Sequence, residues 1–117
     1  MKLSEIQEIL KADVLAGEEH LGQTVVAGGG ADLMDDVLSA VAEGGALLTG
    51  LTTEKVLRTA KIAGVTVIVF VRGKEPSASV LELAKFYSLP VMTTKYSLFV
   101  ACGRLYMNGL RGMDGSW

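Results

Sequence analysis

The chain has 117 residues, half of them hydrophobic and 21% charged, with a formal net charge of −2. This composition is typical of a single compact globular domain and excludes a disordered or fibrous chain. Eleven basic residues against thirteen acidic ones, with no basic cluster, argue against nucleic acid as a partner. No apolar stretch approaches the ~18 residues of a membrane span. The single cysteine, Cys102, excludes an internal disulfide, so we expect a cytoplasmic protein.

The N-terminal quarter shows one helical pattern and two short apolar runs. Ser4 followed by Gln7 has the spacing of a capping box, which predicts a helix that ends near Lys11. Apolar residues at 13–16 and 24–27 then predict two strands, separated by an exposed loop that contains glycines and acidic side chains.

Three successive glycines at residues 28–30 follow the second of these runs. They are expected to form a loop between a strand and a helix that begins at Asp32 and ends at the glycine pair 44–45. Backbone N–H groups of such a loop could receive an anion, since the positive end of the helix dipole points the same way. The alternative is a tight turn that permits close packing of the backbone.

The central part of the sequence alternates strand and helix patterns. Residues 65–71 read Val-Thr-Val-Ile-Val-Phe-Val, a continuous apolar run that predicts a strand covered on both faces. Shorter runs at 46–50 and 90–92 predict further strands, and helical patterns separate the three. This order predicts a three-layer α/β/α sandwich with a mostly parallel sheet of about five strands. We expect one domain over residues 1–110 and a flexible tail over 111–117.

In a parallel sheet the loops that follow the strands meet at one edge, where ligands commonly bind. Here those loops supply glycine amides, hydroxyls and two cations, which suit a small anionic or nucleotide-like effector. The candidate ligand-binding residues are Gly28, Gly29, Gly30, Thr49, Thr52, Arg72, Gly73, Lys74 and Thr94. Solvated capping loops would need similar residues, so this alternative stays open.

Residues that could carry catalysis have simpler interpretations. Asp32 and Asp35 suit the start of a helix better than a metal site. His20 has no neighbouring nucleophile and orienting acid in the sequence, and Cys102 is expected on an apolar helix face. We therefore predict no catalytic residue, no metal and no cofactor.

The last helical pattern, from residue 97, is apolar on more than one side, whereas a surface helix needs one apolar stripe. This excess favours a symmetric homodimer through Phe99, Cys102 and Tyr106. If the helix instead packs between the sheet and the first helix, one chain would cover both of its faces.

Three segments resemble the DRTGG domain family. Residues 29–38 read Gly-Gly-Ala-Asp-Leu-Met-Asp-Asp-Val-Leu and are similar to the family pattern Gly-Tyr-x-Ser-Asp-Leu-Leu-Ser-Asp-Val-Met. Residues 72–76 are similar to the family's Gly-Gly-x-x-Pro turn. Phe99 and the Gly-Arg-Leu-Tyr of residues 103–106 resemble its closing segment.

The resemblance implies a three-layer α/β fold and a regulatory or assembly role without catalysis. Similar modules occur at the N-terminus of HPr kinase/phosphorylase and within CBS-containing inorganic pyrophosphatases. The expected Asp-Arg is replaced here by Leu51-Thr52, and the expected Thr-Gly-Gly by Val71-Arg72-Gly73. No functional residue is therefore transferred, and two roles remain open: a sensor or adaptor domain that binds an effector, and a structural dimerisation module without a ligand.

Overall fold

The computed structural model describes residues 1–35 and 43–113. Most of the helix predicted from Asp32 and the last four residues of the predicted tail lie outside these ranges. The helices are α1 (Leu3–Leu10), α2 (Glu54–Ala63), α3 (Ala78–Phe86) and α4 (Leu98–Met107). The strands are β1 (Asp13–Ala16), β2 (Ala27–Gly30), β3 (Gly45–Thr49), β4 (Val67–Phe70) and β5 (Val91–Thr93).

The five strands form one sheet in the order β1-β5-β4-β3-β2. Strands β2 to β5 are parallel to one another, whereas β1 runs antiparallel to β5, with Asp13 opposite Thr93. The predicted mostly parallel sheet is confirmed. Because β1 is reversed, the segment that joins α1 to β1 lies at the same edge of the sheet as the carboxyl ends of the parallel strands.

Each face of the sheet is covered by helices, as the unbroken apolar runs predicted. Leu47, Ile68 and Phe70 point to the face covered by α2 and α3, whereas Leu48 and Val69 point to the face covered by α1 and α4. This alternation follows from the two-residue period of a strand. Full burial of a side chain the size of Phe70 contributes about 1.5–3 kcal/mol, so both layers help to hold the sheet.

Several helix ends match the sequence, and one does not. Ser77 and Ser97 accept hydrogen bonds from the N–H groups of the residues three positions on, and Gly64 ends α2 in a left-handed conformation. The capping box predicted at Ser4 is wrong, because α1 begins earlier. There the Lys2 N–H donates to the Glu5 carboxylate at 2.9 Å.

Two segments near the predicted boundaries differ from expectation. The strand predicted at residues 24–27 begins only at Ala27 and continues through the three glycines to Gly30. At the C-terminus, residues 111–113 were predicted to open the tail, yet the Gly28 N–H donates to the Arg111 carbonyl at 2.8 Å. The chain therefore stays packed on the sheet beyond the predicted domain end at residue 110.

Among residues 1–35 and 43–113, no helix has the length and apolar composition that a bilayer crossing would require.

Candidate functional site at the carboxyl edge of the sheet

The loops that follow β2 and β3 are joined through Asp32 and Thr49. The Asp32 carboxylate accepts hydrogen bonds from the Thr49 hydroxyl at 3.1 Å and from the Gly50 N–H at 2.9 Å. The Thr49 oxygen also accepts from the Leu51 N–H at 3.2 Å. The helix that Asp32 was predicted to cap lies mostly outside the described residues. Within them, the Asp32 carboxylate connects two strand ends. Thr49 is fully buried, so its hydroxyl stabilises these loops and is not accessible to a ligand.

The turn after β4 is fixed by backbone hydrogen bonds to the segment after β5. Arg72 and Gly73 both have positive φ angles, 61° and 68°. The Arg72 N–H donates to the Tyr96 carbonyl and the Gly73 N–H to the Thr94 carbonyl, both at 2.8 Å. A non-glycine residue in this conformation is uncommon, and the two bonds to residues 94–96 account for it.

The Arg72 side chain extends across the sheet edge toward β3. A Cβ atom added to Gly50 would lie 2.5 Å from Arg72 Nη2. Only a residue without a side chain allows the guanidinium this close to the backbone. The guanidinium therefore lies beside the loop in which Gly50 donates to Asp32.

A cleft of about 470 Å³ opens between the end of α1 and the loops after β4 and β5. It is lined by Leu10, Lys11, Asp13, Gly73, Glu75, Thr93, Thr94, Lys95 and Tyr96. Of the predicted ligand-binding residues, only Gly73 and Thr94 line this cleft. Thr52 follows β3 as a half-buried residue and does not line it.

The charged side chains of the cleft are free of ion pairs within the described parts of the chain, where the one ion pair joins His20 and Glu19. Cations outnumber carboxylates by four to two in the cleft and the adjoining turn of residues 72–75. These side chains are Lys11, Arg72, Lys74 and Lys95 against Asp13 and Glu75. This balance favours an anionic ligand over a cationic one.

The two threonines of the cleft use their hydroxyls within the protein. The Thr93 hydroxyl donates to the Lys74 carbonyl and the Thr94 hydroxyl to the Leu10 carbonyl, both at 2.7 Å. The Thr94 oxygen also accepts from the Tyr96 N–H at 3.3 Å. Thr94 therefore joins the end of α1 to the loop after β5, and it shapes the cleft through these bonds.

Sequence reasoning missed Lys11 and Asp13, because the antiparallel pairing of β1 with β5 brings them to the cleft. In the structure, Lys11 follows the last residue of α1 and has a positive φ of 48°, a conformation that nothing in the sequence indicates. This left-handed residue turns the chain sharply between α1 and β1.

The predicted glycine residues lie away from the cleft, at the opposite side of the sheet. Gly28, Gly29 and Gly30 are in β2 and pair in parallel with β3, so the prediction that they form a loop before a helix is wrong. Cβ atoms on them would lie 2.7 to 2.8 Å from other side chains, respectively those of Leu110, Met113 and Cys102. Their position supports the packing interpretation that the sequence had left open.

Of the three residues predicted to form an interface, Phe99 and Tyr106 lie on the exposed side of α4, whereas Cys102 is directed inward. Phe99 is 88% exposed and Tyr106 is 45% exposed, whereas the Cys102 sulfur faces the backbone at Gly30. Burial raises the pKa of the Cys102 thiol above its usual value of 9.0. The Arg111 guanidinium lies over the Tyr106 ring, 4.4 Å from its centroid, in cation–π geometry.

No group of three His, Cys, Asp or Glu side chains that could hold a metal ion occurs within residues 1–35 and 43–113. His20, the single histidine, lies outside the cleft in the short 3₁₀ helix Glu18–His20. Its Nδ1 is 3.1 Å from Gln23 Nε2.

The family model of the DRTGG domain matches residues 5–106. The chain belongs to the DRTGG domain family. The match spans every strand of the sheet and all but the first residues of α1 and the last residue of α4. This DRTGG domain departs from the motif that names the family at residues 51–52 and 71–73, and the second of these segments forms the left-handed turn beside the cleft.

A solved structure shares the fold of this DRTGG domain. It contains the CBS and DRTGG domains of the regulatory region of Clostridium perfringens pyrophosphatase, complexed with the activator diadenosine tetraphosphate. It is 25% identical in sequence and superposes with a TM-score of 0.68. The match covers 89% of this chain and 45% of that chain, so this DRTGG domain spans less than half the length of that structure. No curated protein matches the chain in sequence.

Proposed function

We propose that this DRTGG domain is a non-catalytic regulatory domain that binds a small anionic or nucleotide-like effector in the cleft at the carboxyl edge of the sheet. The observation that carries the proposal is the cleft together with the adjoining turn of residues 72–75, where cations outnumber carboxylates by four to two. Its volume of about 470 Å³ lies within the range of ordinary small-molecule sites. The similar pyrophosphatase region is regulatory and was solved with a nucleotide activator, which supports an effector of this class.

The cations differ in the contacts that they can offer to an anion. Lys11 and Lys95 both line the cleft, Lys11 just after α1 and Lys95 just after β5. In the proposed complex their ammonium groups bind the same phosphate. Arg72 offers a planar guanidinium that suits paired phosphate oxygens. Tyr96 adds a half-buried aromatic wall whose ring is already covered by Arg104, with its guanidinium carbon 4.8 Å from the ring centroid.

The chemistry of the cleft supports binding rather than catalysis. A nucleophile needs a base within hydrogen-bonding distance, but the hydroxyls of Thr93 and Thr94 donate to backbone carbonyls instead. A kinase or phosphatase label therefore has no support in these residues. The lone cysteine and the absence of a disulfide fit a reducing compartment, so we place the protein in the cytoplasm.

A thermal-shift titration with nucleotides and phosphorylated metabolites, including diadenosine tetraphosphate, tests the proposal. A ligand at 100 times its dissociation constant adds about 2.7 kcal/mol to the free energy of unfolding, which raises the melting temperature by several degrees. We expect Lys11→Gln with Lys95→Gln to abolish the shift. Lys55→Gln, which removes an exposed lysine from α2, should leave it intact. Equal shifts in the two variants would contradict binding in this cleft.

A structural role as a homodimer is the second candidate, and a separate observation favours it. The outward side of α4 leaves Phe99 and Met107 almost fully exposed, and Val100 and Tyr106 partly exposed. A second copy could bury this side about a twofold axis. Light scattering at micromolar concentration distinguishes a dimer from a single chain of 12.3 kDa.

A further inference from the structure

The described part of the C-terminal segment pairs with the outer edge of β2 through a single parallel β-bridge. Gly28 and Gly112 form a parallel bridge. The Gly28 N–H donates to the Arg111 carbonyl at 2.8 Å, and the Met113 N–H donates to the Gly28 carbonyl at 3.0 Å. Residues 110–113 are called the strap below. The strap satisfies backbone groups that an edge strand would otherwise present to other chains.

The strap inserts two apolar side chains into opposite faces of the domain. Leu110 packs with the core between the sheet and helices α1 and α4, whereas Met113 packs with the core on the other face. Each of the two is only 7% exposed. This opposition follows from their spacing, since residues three apart in a strand point to opposite sides.

The glycines of β2 make room for these two side chains. Leu110 Cδ2 lies 2.7 Å from the position of a Cβ atom on Gly28, and Met113 Cε lies 2.7 Å from that of a Cβ atom on Gly29. Glycine is unfavourable within a strand and often marks the close approach of another backbone. The edge of β2 is therefore a groove with a glycine floor that fits the strap.

Three features make the strap separable from the rest of the domain. It joins α4 through the exposed residues Asn108 and Gly109, and Gly109 has a φ of 104° with open space around it. It lies beyond residue 106, where the match to the family ends. A hollow of about 140 Å³ remains between β2, α4 and the strap, so the packing beneath it is incomplete.

We propose that the edge of β2 is an acceptor groove for an extended peptide, and that the strap occupies this groove until a partner peptide displaces it. The partner is a protein segment that binds parallel to β2 and carries two apolar side chains three residues apart, with a small residue before the second. In the strap these positions are Leu110, Gly112 and Met113. Recognition by strand addition uses the backbone for affinity and the alternate side chains for specificity. This groove lies across the sheet from the effector cleft and does not depend on it.

A labelled peptide with the sequence of residues 107–117 tests the groove in the full-length chain. Fluorescence anisotropy compares the wild type with the double variant Leu110→Ser, Met113→Ser, in which the strap is a poor competitor. We expect the double variant to bind the peptide at least about tenfold more tightly, because its groove is open in a larger fraction of molecules. Adding Gly29→Val to the double variant should abolish binding, since the valine side chain fills the groove. Equal binding by the wild type and a folded double variant would overturn the proposal.

Hydrogen exchange on the wild-type chain decides the matter if the double variant does not fold. The amides of Gly28 and Met113 both depend on the strap, whereas the amide of Val69 lies in the central strand β4. If the strap opens separately, the amides of Gly28 and Met113 should exchange at least about tenfold faster than that of Val69. Their two exchange rates should also be similar to each other. Exchange of all three at the rate of global unfolding would show a strap that does not open, and would overturn the proposal.

Discussion

The Asp32 carboxylate accepts a hydrogen bond from the Thr49 hydroxyl at 3.1 Å, and so connects the ends of two neighbouring parallel strands. The same oxygen accepts from the Gly50 N–H at 2.9 Å. The Arg72 side chain lies against Gly50 in turn. One carboxylate thus fixes the backbone on which the side chain of a proposed ligand-binding arginine rests.

Replacing Asp32 by alanine should lower the free energy of unfolding by about 1–2 kcal/mol, because the buried Thr49 hydroxyl loses its acceptor. Asp32→Asn keeps an oxygen at the same position and should cost less. Asp35→Ala is the matched control, since Asp35 is an exposed aspartate three residues on. Urea unfolding measures all three. An Asp32→Ala variant as stable as Asp35→Ala would show that the bond contributes nothing.

The sheet could be predicted from the sequence where the strands are apolar, and not where they are glycine. Residues 65–71 contain β4 within an unbroken apolar run, whose burial on both faces leaves no other assignment. Gly28, Gly29 and Gly30 have no side chains, so they lack the apolar pattern that predicts a strand. They belong to one because their backbone pairs with β3, and side chains from distant parts of the chain pack over them: Leu110 over Gly28, Met113 over Gly29 and Cys102 over Gly30.

The candidate site was predictable only in the half that the parallel strands supply. Arg72, Gly73 and Thr94 follow strands with clear patterns, so their position at the carboxyl edge followed from the order of the elements. Lys11 and Asp13 enter because β1 pairs antiparallel to β5. Whether a strand pairs parallel or antiparallel depends on contacts with residues distant in sequence. The four residues of β1 do not indicate its direction.

Thr94 lines the cleft, but its hydroxyl is expected to matter for stability first. Thr94→Val removes the donor to the Leu10 carbonyl and the acceptor for the Tyr96 N–H. Since Thr94 is buried, the loss should be about 1–3 kcal/mol in the free energy of unfolding. Thr94→Ser keeps the hydroxyl and should recover most of this loss. Chemical denaturation decides the question, and equal stability of the valine and serine variants would refute the structural role.

Cys102 should make the stability of the domain fall at alkaline pH. Burial raises the pKa of the folded thiol above its usual 9.0, so the unfolded chain loses this proton first as pH rises. The stabilising contribution is fully present below the unfolded pKa and is lost as pH rises through the folded one. We expect the wild type to lose more stability than Cys102→Ala between about pH 8 and about pH 10. Parallel pH profiles for the two proteins would contradict a buried neutral thiol.

The outward side of α4 has a shape that suits contact with a second copy. Phe99 is 88% exposed and Met107 is 86% exposed, and each lies four residues from Gly103. A Cβ atom on Gly103 would meet nothing within 4 Å, so no packing inside the described chain requires glycine there. Glycine within a helix costs about 0.5–1 kcal/mol relative to alanine. Two antiparallel copies of α4 that cross at Gly103 would place Phe99 of one copy against Met107 of the other.

If the chain is a dimer through α4, Phe99→Glu should convert it to a monomer, because two carboxylates would be buried in the interface. Tyr106→Glu should weaken the dimer in the same direction. Phe86→Glu is the matched control, since Phe86 is 82% exposed on α3, in the opposite helical layer. Light scattering of the four proteins at the same micromolar concentration gives the answer. A wild-type mass near 12.3 kDa would exclude the dimer, and a dimer that survives Phe99→Glu but not Phe86→Glu would move its interface to the α2 and α3 layer.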